Sequence, residues 1–168
     1  MPHITPYYLQ DDGVIPNNAL PMLVYSDTVD VSGSDPAAAF EHLFASNQWT
    51  HSWRNGIYPF PHYHSTAHEA LGIARGCARV RLGGESGVEL EVKAGDAVLL
   101  PAGVGHQNLG ASSDLLVVGS YPAGQDWDLC RGERREHRQA IENIARVPLP
   151  PADPVCGTQG GTSEYWKD

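Results

Sequence analysis

Between residues 49 and 116 of this 168-residue chain, apolar and polar side chains alternate with a period of two, and glycines and prolines interrupt the alternation. Ala78, Val80 and Leu82 alternate with Arg79 and Arg81, while Val88, Leu90 and Val92 alternate with Glu89, Glu91 and Lys93. An extended chain points successive side chains to opposite faces, so each run buries one face and wets the other. The intervening Gly83-Gly84-Glu85-Ser86-Gly87 reads as a hairpin turn. No helical pattern follows it, which argues against a phosphate-binding loop. Residues 115–120 read as another strand, and 96–100 as a buried strand ending in a Pro/Gly turn. Many short strands joined by turns imply an all-β fold of packed sheets. The 18 glycines and 13 prolines are too few and too aperiodic for a collagen-like or disordered chain.

The flanks follow other patterns. Residues 1–33 read as an irregular arm, with one strand at 23–25. Ser34 or Asp35 can cap a helix over 36–47, Pro36 suits its first position, and Phe40, Leu43 and Phe44 share a face. A second helix is expected over 132–146, with Ile141, Ile144 and Ala145 inward and Glu133, Arg134, Arg135, Glu136 and Arg138 solvated. Arg138 and Glu142 have the spacing of an (i, i+4) pair. The tail from Val147 carries Pro148, Pro150, Pro151 and Pro154, so it is extended, yet it also carries Leu149, Val155, Tyr165 and Trp166. Those apolar groups predict docking of residues 148–157, with the last few residues freer and, in a stronger version, the tail closing a pocket mouth.

Charge narrows the partners. With 11 Lys and Arg against 20 Asp and Glu, the formal charge is −9, and no basic stripe exists to displace counterions from nucleic acid or anionic lipid. No apolar run approaches membrane-spanning length, and the N-terminus lacks the marks of a signal peptide, so a cytoplasmic location is expected. Cys77, Cys130 and Cys156 lack CxxC pairing and read as reduced thiols.

Chemistry concentrates in two segments. In an extended segment His62 and His64 project to one side, and after a tight connection Glu69 can return to the same point. Two imidazoles and a carboxylate suit a borderline divalent ion such as Mn, Fe, Co, Ni or Zn. The strand over 96–100, followed by Pro101 and Gly103, presents His106 as a fourth ligand. His68 alternates away from Glu69 and is expected behind the ligand set or at the surface. His3, His42, His51 and His137 read as structural or solvent-facing, Trp53, Tyr58 and Tyr63 as packing groups, and Arg54 as an outward ion-pairing residue.

Both segments resemble the two motifs of the cupin superfamily. Gly56, His62, His64, Glu69 and Gly76 match the first, and Gly95, Pro101, Gly103 and His106 match the second. The asparagine that closes the second motif is replaced by Gly110, with Asn108 two residues earlier. Ser52-Trp53-Arg54-Asn55-Gly56, the stretch from Pro101 to Gly110, and the opening Asp11-Asp12-Gly13 with Pro16-Asn17-Asn18 are similar to the small bacterial YjlB-like cupins. The resemblance implies a double-stranded β-helix, or jelly-roll, barrel with a few peripheral helices. One domain is expected, divided into an arm and helix packed on the barrel (1–48), the barrel core (49–125), and a C-terminal helix with its tail (126–168).

The resemblance also implies one divalent transition metal ion, Fe, Mn, Ni or Zn, held by His62, His64, Glu69 and His106. Such an ion keeps open positions for a small-molecule substrate. The leading expectation is a dioxygenase-type oxidoreductase acting on a small oxygenated metabolite. A metal-dependent isomerase or decarboxylase and a non-catalytic binding module are the alternatives. A homodimer is expected by analogy with other cupin barrels.

Overall fold

A computed structural model describes residues 2–167. Nine strands are present among them: β1 (His3–Leu9), β2 (Asn18–Ser26), β3 (Trp49–Asn55), β4 (Glu69–Arg75), β5 (Cys77–Leu82), β6 (Val88–Lys93), β7 (Ala97–Leu100), β8 (His106–Ala111) and β9 (Leu116–Pro122). They form a six-stranded sheet in the order β1-β2-β7-β4-β9-β3 and a three-stranded sheet in the order β6-β5-β8. Every strand pairing is antiparallel. The inner faces meet in one core, where Ala78, Val80, Leu82 and Val92 pack against Met22, Leu71, Val98 and Val117. This is the all-β jelly roll. Outside the smaller sheet, Glu89 bridges Arg79 and Arg81.

The larger sheet is buried on both sides. Its outer face, including Leu23, Ala70, Ala74 and Leu99, is covered by Ala37, Phe40 and Phe44 of α1 (Pro36–Ser46) and by Trp166. Strands covered on both faces read as unbroken apolar runs, which is why β4 and β7 lack alternation. α1 begins as the sequence implies, with Pro36 in its first turn and the Asp35 carboxylate accepting from the Ala38 N–H at 3.2 Å. The helix lies so close to the sheet that a Cβ at Gly72 would sit 2.2 Å from the Phe40 ring.

Three expectations are corrected. Residues 1–33 do not form an irregular arm, because β1 and β2 extend the larger sheet. Pro6 and Pro21 mask the strand signal: Pro6 lies on the edge strand, where a missing N–H is tolerated, and Pro21 lies in the irregular register between Tyr7 and Leu9. The second helix is shorter than 132–146, comprising a 3₁₀ turn over Arg134–Glu136 and α2 (His137–Ile144). It docks through Ala140 and Ile144 against Ile15 and Tyr63, which leaves Ile141 and Ala145 exposed, and no Arg138–Glu142 bridge occurs among the described residues.

The tail docks as expected over 148–157, but the described residues beyond it are held as far as Trp166, and Asp168 lies outside the described residues. Trp49 Nε1 donates to the Ala152 carbonyl at 2.9 Å, and the Tyr25 hydroxyl donates to Asp153 at 2.5 Å. Beyond them α3 (Thr162–Tyr165) delivers Trp166, whose Nε1 donates to the Pro21 carbonyl at 2.8 Å. The described tail residues cover the outer face of the sheet, and none of them lines the cavity that holds His64, Glu69 and His106, so they do not close its mouth. No helix among the described residues is long and apolar enough to cross a membrane.

Candidate metal centre

The candidate ligands reach one place by three routes. Glu69 opens β4 and shares the inward parity of Leu71 and Ile73, so its carboxylate enters the space between the sheets. His106 opens β8 after the Pro101–Val104 turn. His62 and His64 lie outside the named strands, but a two-way backbone pairing joins His62 to His106 at 3.1 and 2.9 Å, and the Gly103 N–H donates to the His64 carbonyl at 2.7 Å. The two motifs are thus stitched together. Alternation holds locally: His62 and His64 face one cavity, while Tyr63 turns away to pack on Ile15, Cys130 and Ala140.

Donor atoms of His64, Glu69 and His106 lie within 4.8 Å of one another, and all three residues are buried. His62 stands outside that trio, with its ring centroid 3.9 Å from that of His106. Three backbone carbonyls fix the imidazoles. Nδ1 of His62 contacts the Phe60 carbonyl at 3.1 Å, Nδ1 of His106 contacts the Val104 carbonyl at 3.1 Å, and Nδ1 of His64 contacts the Asp128 carbonyl. A carbonyl can only accept, so each ring proton belongs on Nδ1, and the neutral rings present bare Nε2 lone pairs.

Two of those nitrogens face an acceptor. Nε2 of His64 lies 3.4 Å from Glu69 Oε1, and Nε2 of His106 lies 3.2 Å from the same oxygen. Among the described residues Glu69 Oε1 has no hydrogen-bond donor, although it is buried. A buried carboxylate confronting two nitrogen lone pairs needs a cation to satisfy all three. A divalent transition ion fits this donor set, with the Nδ1–carbonyl contacts holding the ligand tautomer.

Electrostatics agree with that chemistry. Burial, reinforced by His106, pushes the His62 imidazole down to about 3, so it stays neutral at physiological pH. Burial opposes charge on His64, but the Glu69 carboxylate outweighs it and holds His64 above its ordinary value. Burial likewise disfavours the charged form of Glu69, yet His64 and His106 keep its carboxyl well below the usual range.

Above these groups lies a cavity of about 340 Å³. Its wall includes Trp53, Tyr58, Leu71, Tyr121, Trp127 and Leu129. Gly119 makes room for the Trp53 indole, since a Cβ there would sit 2.1 Å from it. That indole donates through Nε1 to the Tyr121 hydroxyl at 3.0 Å.

No family model matches the chain. A relative, the uncharacterized protein YjlB of Bacillus subtilis (strain 168), is 37% identical over 161 residues, covering 95% of this chain and 94% of the relative. The chain belongs to the YjlB-like cupins. Similarity to solved structures is much looser. YcfD, a ribosomal oxygenase from Escherichia coli in complex with cobalt and 2-oxoglutarate, is 17% identical with a TM-score of 0.41, over 61% of this chain and 32% of that one. RmlC from Streptococcus suis in complex with dTDP-D-xylose is 15% identical with a TM-score of 0.36, over 60% of this chain and 63% of that one. A DUF861 family protein from Thermotoga maritima is 21% identical with a TM-score of 0.33, over 56% of this chain and 96% of that one. Overlaps this loose do not bear on the site.

Within this YjlB-like cupin, His68 faces away from Glu69 as alternation requires, but it is buried and not at the surface. Its Nδ1 accepts from the Ala102 N–H at 2.9 Å, and its ring lies 4.7 Å from that of Trp166. Arg54 pairs outward as expected, with Glu41 at 2.6 Å and Asp35 at 3.3 Å. His137 pairs with Asp11, and His3, His42 and His51 are exposed. Tyr63 is a packing group, whereas Trp53 and Tyr58 line the cavity. Sequence reasoning missed Tyr121, Trp127, Leu129 and Asp128. Tyr121 could have been found, since it shares the parity of Val117 and Gly119 on β9. Trp127 and Leu129 carry no periodic signal, because they sit on an irregular segment placed by tertiary contacts.

Proposed function

We propose that this cupin holds one divalent transition metal ion through His62, His64, Glu69 and His106 and acts on a small oxygenated metabolite as a dioxygenase-type oxidoreductase. The supporting observation is the buried Glu69 oxygen that faces two imidazole lone pairs and has no donor. His62 joins the set because its Nδ1 is held in the same way, and its ring lies beside His106 on the cavity wall. When bound, such an ion supplies a Lewis acid with coordination positions left for substrate oxygen atoms. Imidazole and carboxylate ligands suit Fe and Mn as well as Zn and Ni, which permits redox chemistry without selecting one metal.

The chain's own residues do the rest. The carbonyls of Phe60, Val104 and Asp128 orient the three imidazoles. Trp53, Leu71 and Tyr121 line a half-enclosed wall that reduces water access to the ligand nitrogens.

The test is metal analysis of protein purified without a histidine tag, followed by oxygen uptake in the presence of Fe(II) or Mn(II) and small oxygenated compounds. One metal per chain is expected, falling to near zero in His106→Ala. Unchanged stoichiometry in that variant would overturn the ligand assignment. Ligand-dependent turnover without oxygen uptake would replace the oxidative reading with isomerase or decarboxylase chemistry.

A further inference from the structure

We propose that the cavity of this cupin selects an aromatic ligand with two adjacent oxygen donors at one end and no second anionic group. The proposal rests on the metal reading above and adds the substrate class. Among the described residues, Tyr58, Trp127 and Leu129 are three of the six large hydrophobic residues that the fold leaves exposed, at 50%, 43% and 46%. All three line the cavity that holds His64, Glu69 and His106. Exposed apolar surface gathered at a concave opening is the signature of a ligand site, because a bound apolar group removes it from water.

The aromatic wall is prepared in advance. Trp127 stacks on Tyr121 with centroids 4.2 Å apart and planes within 5°. Tyr121 is anchored by the Trp53 indole at 3.0 Å. At the mouth Tyr58 stacks on Phe60 at 4.7 Å, and its ring meets that of His62 edge-on at 5.1 Å. Rings fixed before binding lose little entropy on contact, and flat partners use their faces best. A cavity of about 340 Å³ is near the small end for organic ligands and suits a one- or two-ring molecule.

Charge sets the second half of the specificity. Among the described residues Arg54 is the one Lys or Arg in the lining. Its guanidinium is already committed, to Glu41 at 2.6 and 2.9 Å and to Asp35 at 3.3 and 3.4 Å. Two carboxylates around one cation leave nothing to neutralise a phosphate or carboxylate remote from the metal. Sugar phosphates and dicarboxylates are therefore disfavoured, whereas a neutral ring with vicinal oxygens meets a metal at one end and aromatic faces along its length.

The experiment uses full-length protein loaded with Zn(II), which does not oxidise the ligands, with metal content measured in the same samples. Naphthalene-2,3-diol, catechol, oxalate and 2-phosphoglycolate are titrated by calorimetry. The diol is expected to bind at least tenfold tighter than either anion. Trp127→Ala and Tyr58→Ala should each weaken the diol several-fold while leaving metal content and oxalate affinity unchanged, and Trp127→Phe should retain most of the affinity. Tighter binding of oxalate or phosphoglycolate to metal-loaded protein overturns this inference and spares the metal assignment. Failure to take up metal overturns the metal assignment first. If Trp127→Ala splits a dimer and leaves diol affinity intact, the aromatic mouth belongs to an interface and the inference falls.

Discussion

Asp128→Ala tests whether the residues behind His64 govern the metal centre. The Asp128 carboxylate accepts from the Ser65 N–H at 2.6 Å and from the Ser65 hydroxyl, which also accepts from Asn143 Nδ2 at 3.0 Å. These bonds anchor the segment whose Asp128 carbonyl holds His64 Nδ1. Burial disfavours the charged carboxyl, but the Ser65 bonds hold it below its ordinary value. Removing the side chain strands the N–H of Ser65, which has 0% exposure, and an unpaired buried donor costs about 1–3 kcal/mol. At about 2.1 cal/mol/K per residue, unfolding of this 168-residue chain carries about 0.35 kcal/mol/K of entropy. A loss of about 2 kcal/mol therefore lowers Tm by about 6 °C. The freed His64 ring should also weaken the metal about 10–100-fold, the usual cost of losing such outer support. Differential scanning calorimetry reads the first effect, and competition with a chromophoric chelator reads the second. Ser65→Ala, which keeps the backbone donor, should show a smaller loss on both. A lowered Tm with unchanged metal affinity would refute the coupling between the clamp and His64.

Three further outcomes are expected. Trp166→Ala should lower Tm by about 8 °C or more, since truncating a buried Trp costs about 3–5 kcal/mol, and a calorimetric change under 2 °C would contradict the docked tail. The His68 imidazole is pushed down to about 4 by burial, below its unfolded value of 6.5, so the unfolded chain takes up the proton first as pH falls. Metal-free protein should then lose on the order of 3 kcal/mol through His68 between about pH 6.5 and 4, and His68→Gln should flatten that slope in denaturant titrations; parallel curves would refute it. Light scattering at micromolar concentration should give twice the 18.2 kDa chain mass, and a monomer would end the expectation of a homodimer.

Local chemistry made the convergence of His64, Glu69 and His106 legible. The interval from His64 to Glu69 and the Pro101–Gly103 turn before His106 specify which side of an extended chain each group leaves, and parity survives folding because a strand has a period of two. The same rule turned His68 away from Glu69. It left open whether His68 lay behind the ligand set or at the surface, and Trp166, almost a hundred residues later, buries it. β1 escaped notice and β2 was legible only over 23–25, because Pro6 and Pro21 interrupt their pattern and the buried stretch of β2 has no alternation to display. The cavity wall depended most on tertiary structure. Trp127 and Leu129 acquire their places from the Tyr121 stack and the Ser65–Asp128 clamp, contacts between residues 6 to 63 positions apart. Spacing encodes the side of a strand; which distant segment comes to rest against that side is decided by how two twisted sheets close over a shared core.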